Sequence, residues 1–278
     1  MTKEQGNIFI KNIERRKRMR AIVVYSLALI GAVGLFVALG FVGKKQSDTR
    51  CWKLDVQVEP IDGLKFIDEH MIAALADSAT DMIVGKTLSE VDLGAIHKAI
   101  AANSSVKDAR VYTTVDGRCI VQVQQRKPIA RIFNRAGESY YLDSEGYTME
   151  VSNLTAKKLP VFTGEIPDGM RTGSVLNNVP DSIAWKSPLD EIYQFTQIVA
   201  RDTFWSAQIE HVYINTGGEF EIIPRVGSQR VNVGYIYHLD SKLKKLRAFY
   251  EYAALNDDIE RYSAINAQYN GQVVCVKR

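Results

Sequence analysis

The feature that most constrains this chain is an uncharged run of 22 residues, Ala21 to Val42 (AIVVYSLALIGAVGLFVALGFV), lying between Arg20 and Lys44. At about 1.5 Å per residue it spans roughly 33 Å, enough for a hydrocarbon core of about 30 Å. A core helix would carry a polar face, and this run has none. A secretory signal has a shorter apolar region, about 7–15 residues, followed by a small-x-small cleavage site. Ala38-Leu39-Gly40 has that form but lies inside the run. Cys51 follows Asp48-Thr49-Arg50, which is too polar for a lipoprotein cysteine. The run therefore reads as an uncleaved transmembrane helix over residues 21–43, with its apolar ends at Ala21 and Val42.

Flanking charge orients it. Residues 1–20 hold seven Lys or Arg and two acids, so the positive-inside rule places this tail in the cytoplasm and everything from Gly43 onward outside. The basic tail also suits contact with anionic lipid. The remaining residues carry 28 basic and 30 acidic side chains. The net +3 of the whole chain thus belongs to the tail, and the exported part lacks the basic stripe of a nucleic-acid binder. The cysteines, Cys51, Cys119 and Cys275, form no CxxC, which argues against zinc. Outside the cytoplasm a Cys51–Cys119 disulfide is permitted. Two buried thiols on strands are the alternative.

After a polar connector, CWKLDVQVEP alternates Leu54, Val56 and Val58 at strand period. Two helical patterns follow. The first is capped by Asp68 with Met71, Ile72 and Leu75 on one face; the second has Ser89 and Asp92 as a capping-box variant and Leu93, Ile96 and Ile100 at helical spacing. VKDARVYTTV and CIVQVQQ then form a hairpin about Asp116-Gly117. This β-α-α-β-β order predicts a small domain over residues 44–127, two helices covering one face of a three-stranded sheet. From Pro128 the chain is strand-rich: IARIF, SYYLD, YTMEV, LPVFTG, QIEHVYIN, EFEIIPR, QRVNVG, YSAINAQY and QVVCVKR. Helices interrupt at Pro188 to Ala200 and at SKLKKLRAFYEYAAL, whose Lys and Arg residues oppose an apolar face. The fold class is α+β: a cytoplasmic tail (1–20), the span, the small domain, and a mostly antiparallel β domain with flanking helices over residues 128–278.

Chemistry is sparse. Ser241-x-x-Lys244 fits the S-x-x-K nucleophile motif, but Arg171-Thr172-Gly173, its nearest K-T-G counterpart, precedes it and no S-D-N exists. Ser241 reads as a helix N-cap instead. Asp143-Ser144-Glu145-Gly146 reads as a tight turn, since it lacks the ligand series of a calcium loop. His70, His97, His211 and His238 are scattered singly. No catalytic residue, cofactor site, metal site or small-molecule substrate is expected, and a binding role follows.

The order of parts resembles the bacterial division family FtsQ/DivIB. Val121-x-Val123-x-x-Arg126-x-Pro128-Ile129-Ala130, then Tyr140-Tyr141-Leu142-Asp143-x-x-Gly146, is similar to the family's junction between a POTRA module and its β domain. The close, YSAINAQYNGQVVCVKR, looks like the family's last two strands. Asn266-Ala267-Gln268-Tyr269 departs from the Asp-Leu-Arg-Tyr common there, which puts any charge contact through that Asp or Arg in doubt. The resemblance implies a non-enzymatic, single-pass inner-membrane scaffold at the septum. It would bind FtsB- and FtsL-like single-span proteins and other divisome membrane proteins outside the membrane.

The residues supply a docking site of their own. Gln272, Val273, Val274, Cys275, Val276 and Lys277 read as a closing strand, uncharged from Gln272 to Val276, and a last strand makes a natural sheet edge. A partner strand is expected there with Tyr269 as aromatic anchor and Val274 as the central ladder donor; the alternative is a strand closed inside the sheet or covered by a helix, with Tyr269 packed inward. The alternatives are an anchored cell-wall enzyme and a POTRA-bearing transport or assembly factor.

Overall fold

The computed structural model describes residues 26, 29–36, 49–151, 158–171, 187–255 and 259–278. Of the expected span, Ser26 and residues 29–36 are helical. The rest of it, Ala21 and Val42 included, lies outside the described residues. Among the described residues no helix is long and apolar enough to cross a membrane.

The first domain is built from β1 (Lys53–Glu59), α1 (Glu69–Thr80), α2 (Leu93–Ala101), β2 (Val106–Thr113) and β3 (Arg118–Gln125). Its sheet runs β1-β3-β2, with β1 parallel and β2 antiparallel to β3. Asp68 caps α1, accepting the His70 N–H at 3.0 Å. Asp92, not Ser89, caps α2, accepting the Ala95 N–H at 2.9 Å. The box-like pairing lies upstream, where the Thr87 N–H donates to Glu90 Oε2 at 3.1 Å. Ile72, Ala76, Ile96 and Ile100 face Val121 and Val123 in one core. Met71, expected inside, is exposed, because Ala76 takes the place on the buried stripe. Cys51 and Cys119 are both buried and free. Burial, and secondarily the neighbouring Cys51, pushes the Cys119 thiol up to about 11.

Among the described residues the second domain forms a nine-stranded sheet in the order β12-β11-β10-β9-β8-β7-β4-β5-β6. Its strands are β4 (Pro128–Phe133), β5 (Ser139–Asp143), β6 (Thr148–Glu150), β7 (Val161–Gly164), β8 (Ile209–Ile214), β9 (Phe220–Pro224), β10 (Arg230–Gly234), β11 (Tyr262–Asn266) and β12 (Val274–Lys277). Neighbours are antiparallel except β4–β7, β7–β8 and β10–β11. One face is covered by α3 (Pro188–Ala200), α4 (Thr203–Gln208) and α5 (Leu239–Leu255). Phe195 of α3 stacks on Phe220 at 5.5 Å and meets Phe162 edge-on at 5.6 Å. Burying each such ring stabilises the fold by roughly 1.5–3 kcal/mol. Ser187 caps α3 through the Leu189 N–H at 3.2 Å, ahead of Pro188. Ser241 is not a cap: α5 begins at Leu239, after a backbone turn in which the Leu239 N–H donates to Ile236 O at 3.1 Å.

The β5–β6 turn is the tight turn its sequence requires. Gly146 has φ +78, and Asp143 Oδ1 accepts the Glu145 and Tyr147 N–H groups at 2.9 and 2.6 Å. Asp143 Oδ2 meets Arg126 at 3.0 Å, and that guanidinium lies 3.8 Å over the Tyr147 ring.

Candidate partner-binding site

The large sheet ends on β12 at one side and β6 at the other. The β6 edge is taken up from within, because the Glu150 N–H donates to Ser104 Oγ of the first domain at 3.1 Å. The edges of the small sheet carry charge: Lys53 and Asp55 on β1, and Lys107, Asp108 and Arg110 on β2. Such charges discourage strand addition. On β12 the sequence is Val274-Cys275-Val276, uncharged until Lys277.

The hydrogen-bonding sense of β12 follows from its neighbours. The Ala267 N–H donates to Asn232 O of β10 at 2.8 Å. Backbone groups alternate sides along a strand. Ile265 therefore also faces β10, while Ala264 and Asn266 face β12. Their partners are Val276 and Val274, and the Arg278 N–H, in the same phase, donates to Arg261 O at 2.9 Å. Val274 and Val276 thus spend their backbone groups inside the sheet. Cys275 and Lys277 turn their N–H groups to the outer side, where no strand follows among the described residues. This corrects the expectation that Val274 is the outward donor.

The side chains alternate the other way. Val274 and Val276 are exposed at 42% and 57% on the face away from the helices, whereas Cys275 packs against the core and burial raises its thiol pKa. Gln272 and Val273 fall outside the strand, a second correction. The reason is Lys245 of α5, which the sequence placed on a solvated face. Its ammonium donates to the carbonyls of Ala267 at 3.1 Å, Gln272 at 3.2 Å and Tyr269. That stretch of backbone is committed to α5 and leaves the ladder. Val273 still packs inward. Tyr269 is half exposed beside the start of β12. One turn along α5, Lys242 ties down Val233 O at 2.8 Å and Tyr235 O at 2.6 Å. Exposed Tyr235 and Tyr237 therefore stand on the neighbouring loop, their rings 6.4 Å apart. Gly234 closely approaches Gln268, which joins the two loops at one end of the sheet. Sequence reasoning missed both lysines and both tyrosines. Lysines three apart on a polar helix face look like any solvated pair.

No metal-holding cluster of His, Cys, Asp or Glu occurs among the described residues. The cleft between the domains is lined by Ala99, Ala102, Arg126, Tyr147 and Met170 among others. Its Arg126 is engaged by Asp143 and Tyr147.

A β-α-α-β-β domain leading into a sheet that, among the described residues, has helices on one face and an apolar strand at its edge defines a two-domain α+β protein with a POTRA-like first domain. Residues 49–124 match the POTRA-like domain, and residues 127–276 match the family described as FtsQ/DivIB, C-terminal related. The chain belongs to the FtsQ/DivIB family. The family is one of non-enzymatic cell-division scaffolds that act through divisome interactions at the septum. No curated protein matches the chain.

Proposed function

We propose that this protein is a single-pass membrane scaffold that links early and late septal proteins. It holds FtsB- and FtsL-like partners, and other divisome membrane proteins, outside the membrane by strand addition to β12. The observation that carries this reading is the β12 edge, which ends the sheet among the described residues, is uncharged until Lys277, and offers the Cys275 and Lys277 N–H groups to a newcomer. Lys245 holds the approach to it, so little ordering entropy remains to be lost on binding. Tyr269 supplies an aromatic surface beside the first residue of the strand. The Ala21–Val42 run, with its basic tail inside, supports the anchor. Confinement to the membrane raises the effective concentration of weak partners.

The test compares two prolines in the full chain, titrated with the extracytoplasmic segment of an FtsB-like partner. Cys275→Pro removes an outward donor and no internal one, so the fold should survive. Affinity should fall at least about tenfold, equal to about 1.4 kcal/mol. Cys275→Ala controls for the lost thiol. Val274→Pro should instead lower the melting temperature, because its N–H serves the ladder to β11. A folded Cys275→Pro protein that binds at full affinity removes the strand-addition mechanism.

A further inference from the structure

Four large apolar side chains are exposed at one end of the small domain: Trp52 at 59%, Met82 at 65%, Val84 at 47% and Val115 at 75%. Backbone hydrogen bonds bring them together. Residues 49–52 run as a strip between the loop that follows α1 and the β2–β3 turn. On one side the Leu88 N–H donates to Thr49 O at 2.8 Å, the Cys51 N–H to Lys86 O at 2.8 Å and the Gly85 N–H to Cys51 O at 2.6 Å. On the other the Trp52 N–H donates to Gly117 O at 3.0 Å, and its indole N–H donates to Asp116 O at 2.9 Å. The turn presses hard on the strip. A Cβ on Gly117, whose φ is +90, would stand 2.7 Å from Arg50 O and 3.1 Å from Trp52 Cδ1. Met82 and Val84 therefore flank the strip on one side, with Val115 and the Trp52 ring on the other.

None of the four belongs to the domain's core. A cluster of this kind, held rigidly in water, marks a contact surface. The chain itself says which. Thr49 follows Val42 by only six intervening residues, 43–48, so the two lie at most about 25 Å apart even with the link fully extended. With Ala21–Val42 across the bilayer, the apolar strip is held within that reach of the lipid surface. Tryptophan favours the membrane–water interface, and this indole already has its N–H satisfied by Asp116. The surrounding charges are mixed, Arg50 and Lys86 with Asp81 and Asp116, so apolar insertion, not attraction to anionic headgroups, would drive the contact.

We infer that Trp52, Met82, Val84 and Val115 dock the small domain on the outer surface of the lipid bilayer. This fixes the orientation in which the β12 edge meets its partners. The inference rests on the anchor proposed above. The test reconstitutes the full chain into phosphatidylcholine nanodiscs with and without brominated acyl chains and reads tryptophan emission. Trp52→Phe subtracts the signal of Trp185 and Trp205. Bromolipid should quench the wild type, and Trp52→Phe should lose most of that quenching. Met82→Ser/Val84→Ser/Val115→Ser, with Trp52 kept, should lose most of it too. High salt should leave it unchanged. Resistance to alkaline extraction reports the anchor separately. A chain that is extracted overturns both readings. A chain that stays inserted with Trp52 unquenched overturns the docking alone and assigns the patch to a protein partner.

Discussion

His211 lies on the face of β8 away from the helices with Nε2 2.7 Å from Thr163 Oγ1, and burial lowers its pKa from the usual 6.5. The unfolded chain therefore takes up the proton more readily than the folded one. Stability from this group is complete above the unfolded value of about 6.5, declines as pH falls below it, and levels off at the lower folded pKa. The urea midpoint should drop as pH falls below about 6.5, and His211→Gln should flatten that dependence while keeping a hydrogen bond to Thr163. The period of QIEHVYIN put His211 on a strand, but nothing in it foretold Thr163. The two meet only because β7 pairs parallel with β8, across a separation of 48 residues.

At the scale of elements, α5 is both a core helix and a clamp. Leu243 and Leu246 bury themselves, as the helical spacing required, while Lys245 gathers three carbonyls from the loop before β12. Lys245→Met keeps the stem and removes the donors. Each bond to a charged group is worth about 1.5–3 kcal/mol when buried, but this ammonium is partly solvated, so the stability loss should be about 1 kcal/mol. Partner affinity should fall about tenfold through the loosened approach to β12. Lys242→Met, acting on the loop after β10, should lower stability without that loss of affinity. Calorimetric titration beside thermal melts separates the two. Helix existence was legible here, and so were the beginnings at Asp68 and Pro188, but the other two caps were not. Ser89 and Ser241 are good caps in isolation, but Asp92 and the Ile236–His238 turn occupy the positions where backbone N–H groups needed partners.

In the whole molecule the two domains are joined through Arg126. Its N–H donates to Ser105 O at 2.9 Å, its guanidinium meets Asp143, and the ring of Tyr147 lies beneath it. Lys107 pairs with Glu145, and the Ser144 N–H donates to Lys127 O at 2.9 Å. Arg126→Ala would leave the Asp143 carboxylate buried with only backbone donors. It should cost about 3 kcal/mol, near the low end for breaking a buried pair. Arg126→Lys should rescue little, because the planar stack is lost. Urea melts of the full chain measure the cost, and faster proteolysis near residues 125–128 would report the freed joint. Should Arg126→Ala leave both unchanged, the junction is no rigid coupling.

The sequence alone determined what depends on neighbours along the chain. These are the uncharged run, the strand and helix periods, the turns at Asp116-Gly117 and Asp143 to Gly146, and the likeness to a division family. All but the likeness, which rests on the order of motifs, are properties of short-range sterics, hydrogen bonding or solvation. Only the tertiary structure decided that β12 ends the sheet and does not lie inside it, that the N–H of Cys275 and not that of Val274 turns to the edge, that Lys245 is a clamp, and that Trp52, Met82, Val84 and Val115 share one end of a domain. A sheet edge and the phase of its hydrogen bonds are set by which strands pair and in what register, and pairing between distant segments leaves no mark in the local pattern.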